Sequence, residues 1–198
     1  MGIPVVAAWP ATICFLALTY PCLARLGTLN YRRLGPGVRQ ADLASLLMTV
    51  AMAAMVSPVG FPVPVAGWQA VFVVTACWFT VSLLRARPVR GGSRRCDLHH
   101  GVSAVAMVYM LAAMPHGDVG HRVWPTMVDP ATTAGFAVPV LAALGLAYFA
   151  ADGAVTARGA LRARRDGAAA ASGTLSRAGC RVVMSAGMAG MFAAGLAV

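Results

Sequence analysis

The sequence predicts an all-α, polytopic membrane protein of six transmembrane helices, organised as three repeated helical hairpins. Composition is the first observation behind this. Hydrophobic residues fill 59% of the 198 positions and charged ones only 11%. The mean hydropathy is +0.73, the balance of an integral membrane chain. Segmentation is the second. The apolar residues fall into six runs, each near the ~20 residues that a helix needs to cross a bilayer. The third is the alternation of arginines between those runs. Together they imply one transmembrane domain over residues 1–198 and no separate soluble unit.

The first span runs about 3–24, with Pro10 and Pro21 inside it as kink points. No basic residue precedes it and arginines follow it, the reverse of a secretory signal. The second span, about 41–57, and the fourth, about 98–114, are short but adequate. The third is about 65–84. The fifth is about 131–152, with Pro139 as a further kink point, and the sixth is about 178–198.

The connecting stretches hold four, zero, five, one and six arginines in chain order. The positive-inside rule then puts the arginine-rich loops in the cytoplasm and both termini outside a cell membrane. Trp9, Trp68 and Trp124 fall near the outer interface, where amphipathic rings anchor. The net charge of +10 is thereby a topological signal. It points to membrane lipid as a partner and not to nucleic acid.

A methionine spacing links the even-numbered spans. Met48, Met52 and Met55 follow M-x3-M-x2-M, and Met184, Met188 and Met191 repeat it. Ser103, Met107 and Met110 repeat it with one substitution. Offsets of this kind fall within an arc of about 60° on a helix. The three spans also run in the same direction, so the chain reads as three hairpins of one sense. Aligned by depth, the layers are Met55/Met110/Met191, then Met52/Met107/Met188, then Met48/Ser103/Met184. One turn further in lie Ala44, His99 and Cys180, with His100 at the edge of that face. Asp42 and Asp97 are expected to point elsewhere, Asp97 as a helix cap.

Thioethers are neutral, soft ligands that select Cu(I) over hard cations. Weak repeated sites suit an ion in transit, because it must leave each one. The candidate metal ligands are therefore Met48, Met52, Met55, Met107, Met110, Met184, Met188 and Met191, with His99, His100 and Cys180 as a tighter inner group. Cu(I) is the expected ion and a cytosolic copper acceptor the expected further partner.

This layout is similar in plan to the eukaryotic high-affinity copper transporters, in which methionine rings line the entrance and a Cys/His group sits at the exit. The similarity covers the stripes only, since helix count and chain organisation differ. Over its length the chain resembles an actinobacterial family of small integral membrane proteins of unknown function. The segments HHGVSAVAMVYM and CRVVMSAGMAGM carry that resemblance. It implies six helices, with histidine and methionine on the even-numbered ones, and no established activity.

Two other readings use the same residues. As core packing, the methionines would serve a non-catalytic assembly or partner subunit. As axial ligands, His99 or His100 with methionine would serve a haem-binding electron-transfer subunit. No signature of catalysis or of phosphate or dinucleotide binding occurs, so no enzyme is expected. His116 and His121 with Asp118 read as a solvated outer loop. The five cysteines show no C-x-x-C. Cys14 and Cys22 are assigned to one face of the first helix, Cys96 to a loop, and Cys14, Cys22 and Cys77 to packing. Oligomeric state and direction of transport are open.

Overall fold

A computed structural model describes residues 5–59, 65–85, 93–113, 136–166 and 173–197. Every regular element among them is a helix: α1 (Val5–Thr28), α2 (Tyr31–Leu34), α3 (Pro36–Val56), α4 (Val65–Leu84), α5 (Arg94–Ala113), α6 (Pro139–Arg165) and α7 (Thr174–Leu196). α2 is a single turn, and the other six overlap the six apolar segments of the sequence, although α6 starts at Pro139 and residues 136–138 of the expected fifth span are not helical. His116, Asp118, His121 and Trp124 lie outside the described residues.

Most of the long helices outrun their apolar segments at the arginine-rich end. α6 continues to Arg165, and α3, α5 and α7 begin at Pro36, Arg94 and Thr174. Hydropathy finds the membrane-like stretch, whereas arginine and alanine are good helix formers and carry the backbone further. Cys96 therefore sits in the first turn of α5, not in a loop. Two prolines act as starts: Pro36 and Pro139 stand in the first turns of α3 and α6, where the missing N–H has no partner to lose. Pro139 is thus no kink. Gly35 and Gly173, just ahead of α3 and α7, have φ of 98° and 79°, a region glycine enters without penalty.

The long helices pack in sequential pairs: α1 with α3, α4 with α5, and α6 with α7. Contacts along α6 and α7 run in opposite order, with Asp152 against Arg181 and Gly145 against Phe192, so this pair is antiparallel. α3 also meets α5 and α7. Asp42 bonds Arg177, while a side chain on Gly187 would strike Met52. These two contacts keep the same residue order, so α3 and α7 run in the same direction.

The molecule is apolar outside and mixed inside. Ile13, Leu16 and Leu23 of α1, Val74 and Trp78 of α4, and Val140 and Leu144 of α6 are exposed. Such a continuous apolar exterior suits lipid. Among the described residues four helices are long and apolar enough to cross a membrane: Val6–Thr28, Val65–Leu84, Pro139–Arg165 and Thr174–Leu196. α3 and α5 fall short of that measure because their first turns carry Arg39, Gln40 and Asp42, and Arg94, Arg95, Asp97, His99 and His100. They are also the helices with the most buried residues. A helix wrapped by others needs no apolar surface on its polar stretch.

Burial on the outer helices follows one spacing. Phe15, Cys22 and Arg25 on α1, Phe72, Phe79 and Ser82 on α4, and Ala142, Phe149 and Asp152 on α6 are all buried, and each set has the same offsets. The third member of each set reaches a partner helix through a polar bond: Arg25 to Asp42, Ser82 to Asp97, and Asp152 to Arg181.

Close packing at Gly187 gives a stability test. A Cβ there would meet the Phe15 ring and come within 2.6 Å of Met52 Cε. Gly187→Ala is expected to lower stability by about 1–3 kcal/mol through overpacking. Gly179→Ala, where nothing lies within 4 Å, should not. Thermal unfolding of the purified protein in detergent compares the two.

Candidate functional site

All eight methionines of the stripes are buried, and they belong to one hydrophobic cluster. The three methionine faces therefore turn toward one another. Met52 and Met107 are 0% exposed and Met188 is 2% exposed. The cluster also holds Phe15, Phe72, Phe149 and Phe192, so aromatic rings and thioethers share the interior. Sulfur against an aromatic edge is itself a favourable contact.

Below the methionines the interior becomes polar. A cavity of about 200 Å³ lies at the arginine-rich end. Asp42, Cys96, His99, His100, Arg181 and Met184 stand in its wall. Met184 belongs both to the methionine cluster and to this wall. His99 and His100 are 1% and 4% exposed. Neither nitrogen of His99, nor Nδ1 of His100, has a hydrogen-bond partner among the described residues. His99 Nδ1 approaches Asp152 Oδ2 at 3.1 Å, but off the direction of a hydrogen bond. Ser103 Oγ, one turn along α5, is likewise buried without a partner among those residues. Buried polar atoms are normally paired with protein or ordered water, so these are atoms that a water or a ligand in the cavity would satisfy.

Two carboxylates organise the polar layer around that cavity. Asp42 accepts from Arg25 Nε at 3.1 Å, from Arg177 Nη2 at 2.9 Å and from Tyr31 Oη at 2.9 Å. This joins α1, α2, α3 and α7 at one point. Burial, then the Asp42 bond, pushes the Tyr31 phenol up to about 12, so it stays a neutral donor. Asp152 accepts from both Nε and Nη2 of Arg181 and from Ser185 Oγ. The bidentate fork fixes the guanidinium plane. With His99 alongside, Asp152 brings α5, α6 and α7 together.

Several expectations are corrected by this geometry. Asp42 does not point away from the histidines but stands with them in the cavity wall, and Asp97 is not a cap: it lies inside α5 and accepts from Ser82 Oγ at 2.8 Å. Cys14 and Cys22 do not share a face. Cys14 is exposed and Cys22 fully buried, because eight residues turn a helix by two turns and about 80° more. Cys77 is exposed as well. Cys180 is not alone: its sulfur lies 4.0 Å from that of Cys22. Arg25, Asp42, Asp152 and Cys22 carry this region, and the sequence reading assigned none of them to it. The usable signal was the placing of aspartates within or beside apolar spans of arginine-rich loops, since charges at such places are paired.

Among the described residues no three His, Cys, Asp or Glu side chains group closely enough to hold a metal ion. Metal held here would need thioether sulfur or a two-donor site.

A domain of unknown function, DUF5134, matches residues 37–195. The chain belongs to the DUF5134 family. The match takes in α3 to α7 almost entirely, including the methionine cluster and the cavity wall. No curated protein and no solved structure matches the chain.

The shared carboxylate gives a second test. Asp42→Asn leaves two guanidiniums facing a neutral amide, which should cost about 3–5 kcal/mol, as for a broken buried ion pair. Combining it with Arg25→Met should cost less than the two single changes added, because they remove one network. Chemical denaturation in detergent measures the cycle.

Proposed function

We propose that the chain is a six-helix membrane protein that binds Cu(I) and passes it between the methionine cluster and the polar cavity. In this reading Met48, Met52, Met55, Met107, Met110, Met184, Met188 and Met191 offer weak thioether sites, and His99, His100 and Cys180 form the inner group. The observation that carries it is the double membership of Met184, which belongs to the thioether cluster and lines the cavity walled by His99 and His100. Soft, neutral donors leading to imidazoles suit a monovalent soft cation.

The three hairpins are read as repeats of one unit. Support comes from the equal offsets of buried residues on α1, α4 and α6, and from the shared methionine spacing on α3, α5 and α7. The arginine-rich ends face the cytoplasm, both termini lie outside, and a cytosolic acceptor takes the ion.

A second reading is a non-catalytic assembly subunit with a methionine-packed core. The phenylalanines interleaved with the stripes favour it. The haem reading fits less well, since the cavity of about 200 Å³ is smaller than the roughly 300–1,000 Å³ of ordinary cofactor sites.

Copper analysis after anaerobic loading separates the first two. Replacing Met52, Met107 or Met188 with leucine roughly conserves volume and should cost under about 1.5 kcal/mol. Each variant should stay folded and take up less Cu(I) than the parent. A parent that takes up none leaves the assembly reading standing. For topology, reporter fusions at Gly92 and Ala168 should both read cytoplasmic, and an external signal from either overturns the arrangement.

A further inference from the structure

Cys22 and Cys180 are the two buried cysteines among the described residues, and they face each other from α1 and α7. Their sulfurs are 4.0 Å apart, about twice the length of a disulfide bond. They are free thiols. Arg25 lies against both: Nη2 is 3.3 Å from Cys22 Sγ and Nη1 is 3.4 Å from Cys180 Sγ. The same guanidinium donates from Nη1 to Ser176 Oγ at 2.7 Å and from Nε to Asp42. Its orientation is therefore fixed on every side.

We propose that Cys22 and Cys180 form a dithiolate site for one Cu(I) ion, with Arg25 as the positioning residue that offsets its charge. The proposal rests on the soft-metal reading above and adds a site to it. Distance is the first support. A metal–thiolate bond is about 2.3 Å, so an ion shared by sulfurs 4.0 Å apart subtends about 120° between them. Opening by about half an ångström makes the pair linear. Two-donor and three-donor thiolate sites suit Cu(I), and thiolate is the softest ligand a protein offers.

Charge is the second support. Binding Cu(I) displaces one proton from each thiol to solvent and leaves a dithiolate–Cu(I) unit of net charge −1. In an apolar interior that charge needs a fixed counter-charge. Arg25 supplies it at both sulfurs. Asp42 does not cancel it fully, because that carboxylate is shared with Arg177. Cys180 also lies one turn before Met184, the methionine that lines the cavity. The dithiolate thus stands beside the end of the thioether path, where a tighter ligand set would retain the ion.

The test is an anaerobic Cu(I) titration of the full-length protein in detergent, against a colorimetric Cu(I) chelator, with proton release recorded in parallel. Thioethers have no proton to lose, so uptake by methionine alone releases none, whereas uptake by the cysteine pair displaces the protons it holds. The parent should release protons with its tightest Cu(I), and that site should tighten as pH rises. Cys22→Ser and Cys180→Ser should each lose that equivalent and its protons. Cys14→Ser and Cys77→Ser, both at exposed positions, should keep them. Leucine at Met52, Met107 and Met188 should leave the proton-releasing equivalent in place. Copper uptake by the parent without proton release overturns the dithiolate site, whether or not the serine variants fold, and leaves the methionine path standing. Proton-coupled uptake that is lost in the serine variants supports the dithiolate, and total uptake that the leucines leave unchanged removes the methionine path. No uptake at all removes both.

Discussion

The fold depends on Asp42. One carboxylate, almost fully buried, holds Arg25 of α1, Tyr31 of α2 and Arg177 of α7. A buried charge left alone is ruinous, while one that is paired and hydrogen-bonded can be tolerated. The positions of three helices relative to α3 are therefore set by the need to satisfy a single side chain. α2, only one turn long, fits this role: it brings Tyr31 back over the end of α3. Asp152 does the same on the other side, for α5, α6 and α7. The cavity lies where these two networks leave a gap.

Above that polar layer the interior is held by contact alone. Methionine is unbranched and adaptable, and it fills the irregular space between phenylalanine rings. Glycine lets the helices come close: Phe192 would collide with a side chain at Gly145, and Met52 with one at Gly187. The protein therefore has two kinds of interior. One is directional and charged, the other non-directional and soft. Met184 stands at the boundary between them.

Much of this was legible in the sequence. The methionine spacing marked the buried faces of α3, α5 and α7, because a helical period converts directly into a face. It also placed His99 and Cys180 on the inner continuation of those faces. Helix ends were less legible, because a hydropathy profile stops at Asp152 while the helix goes on to Arg165. The partners of charged residues were not legible either. Nothing local in the sequence says that Arg25 reaches Asp42 and both sulfurs, since the bonds cross between elements far apart in the chain. Cys22 was misread for a simpler reason. A separation of two turns was taken as one face, although the helical period leaves a rotation of about 80°.

The distribution of polar bonds bears on the order in which such a protein is built. Each buried aspartate is bonded to the neighbouring helix of its own pair: Asp42 to Arg25, Asp97 to Ser82, and Asp152 to Arg181 and Ser185. The links between pairs, Asp42 to Arg177 and Asp152 to His99, are additional. In a bilayer, helices insert first and associate afterwards. Two of the pairs carry their own counter-charge, Arg25 for Asp42 and Arg181 for Asp152, whereas Asp97 meets the Ser82 hydroxyl. The cavity wall draws on α3, α5, α6 and α7, so it takes all three pairs together to make it.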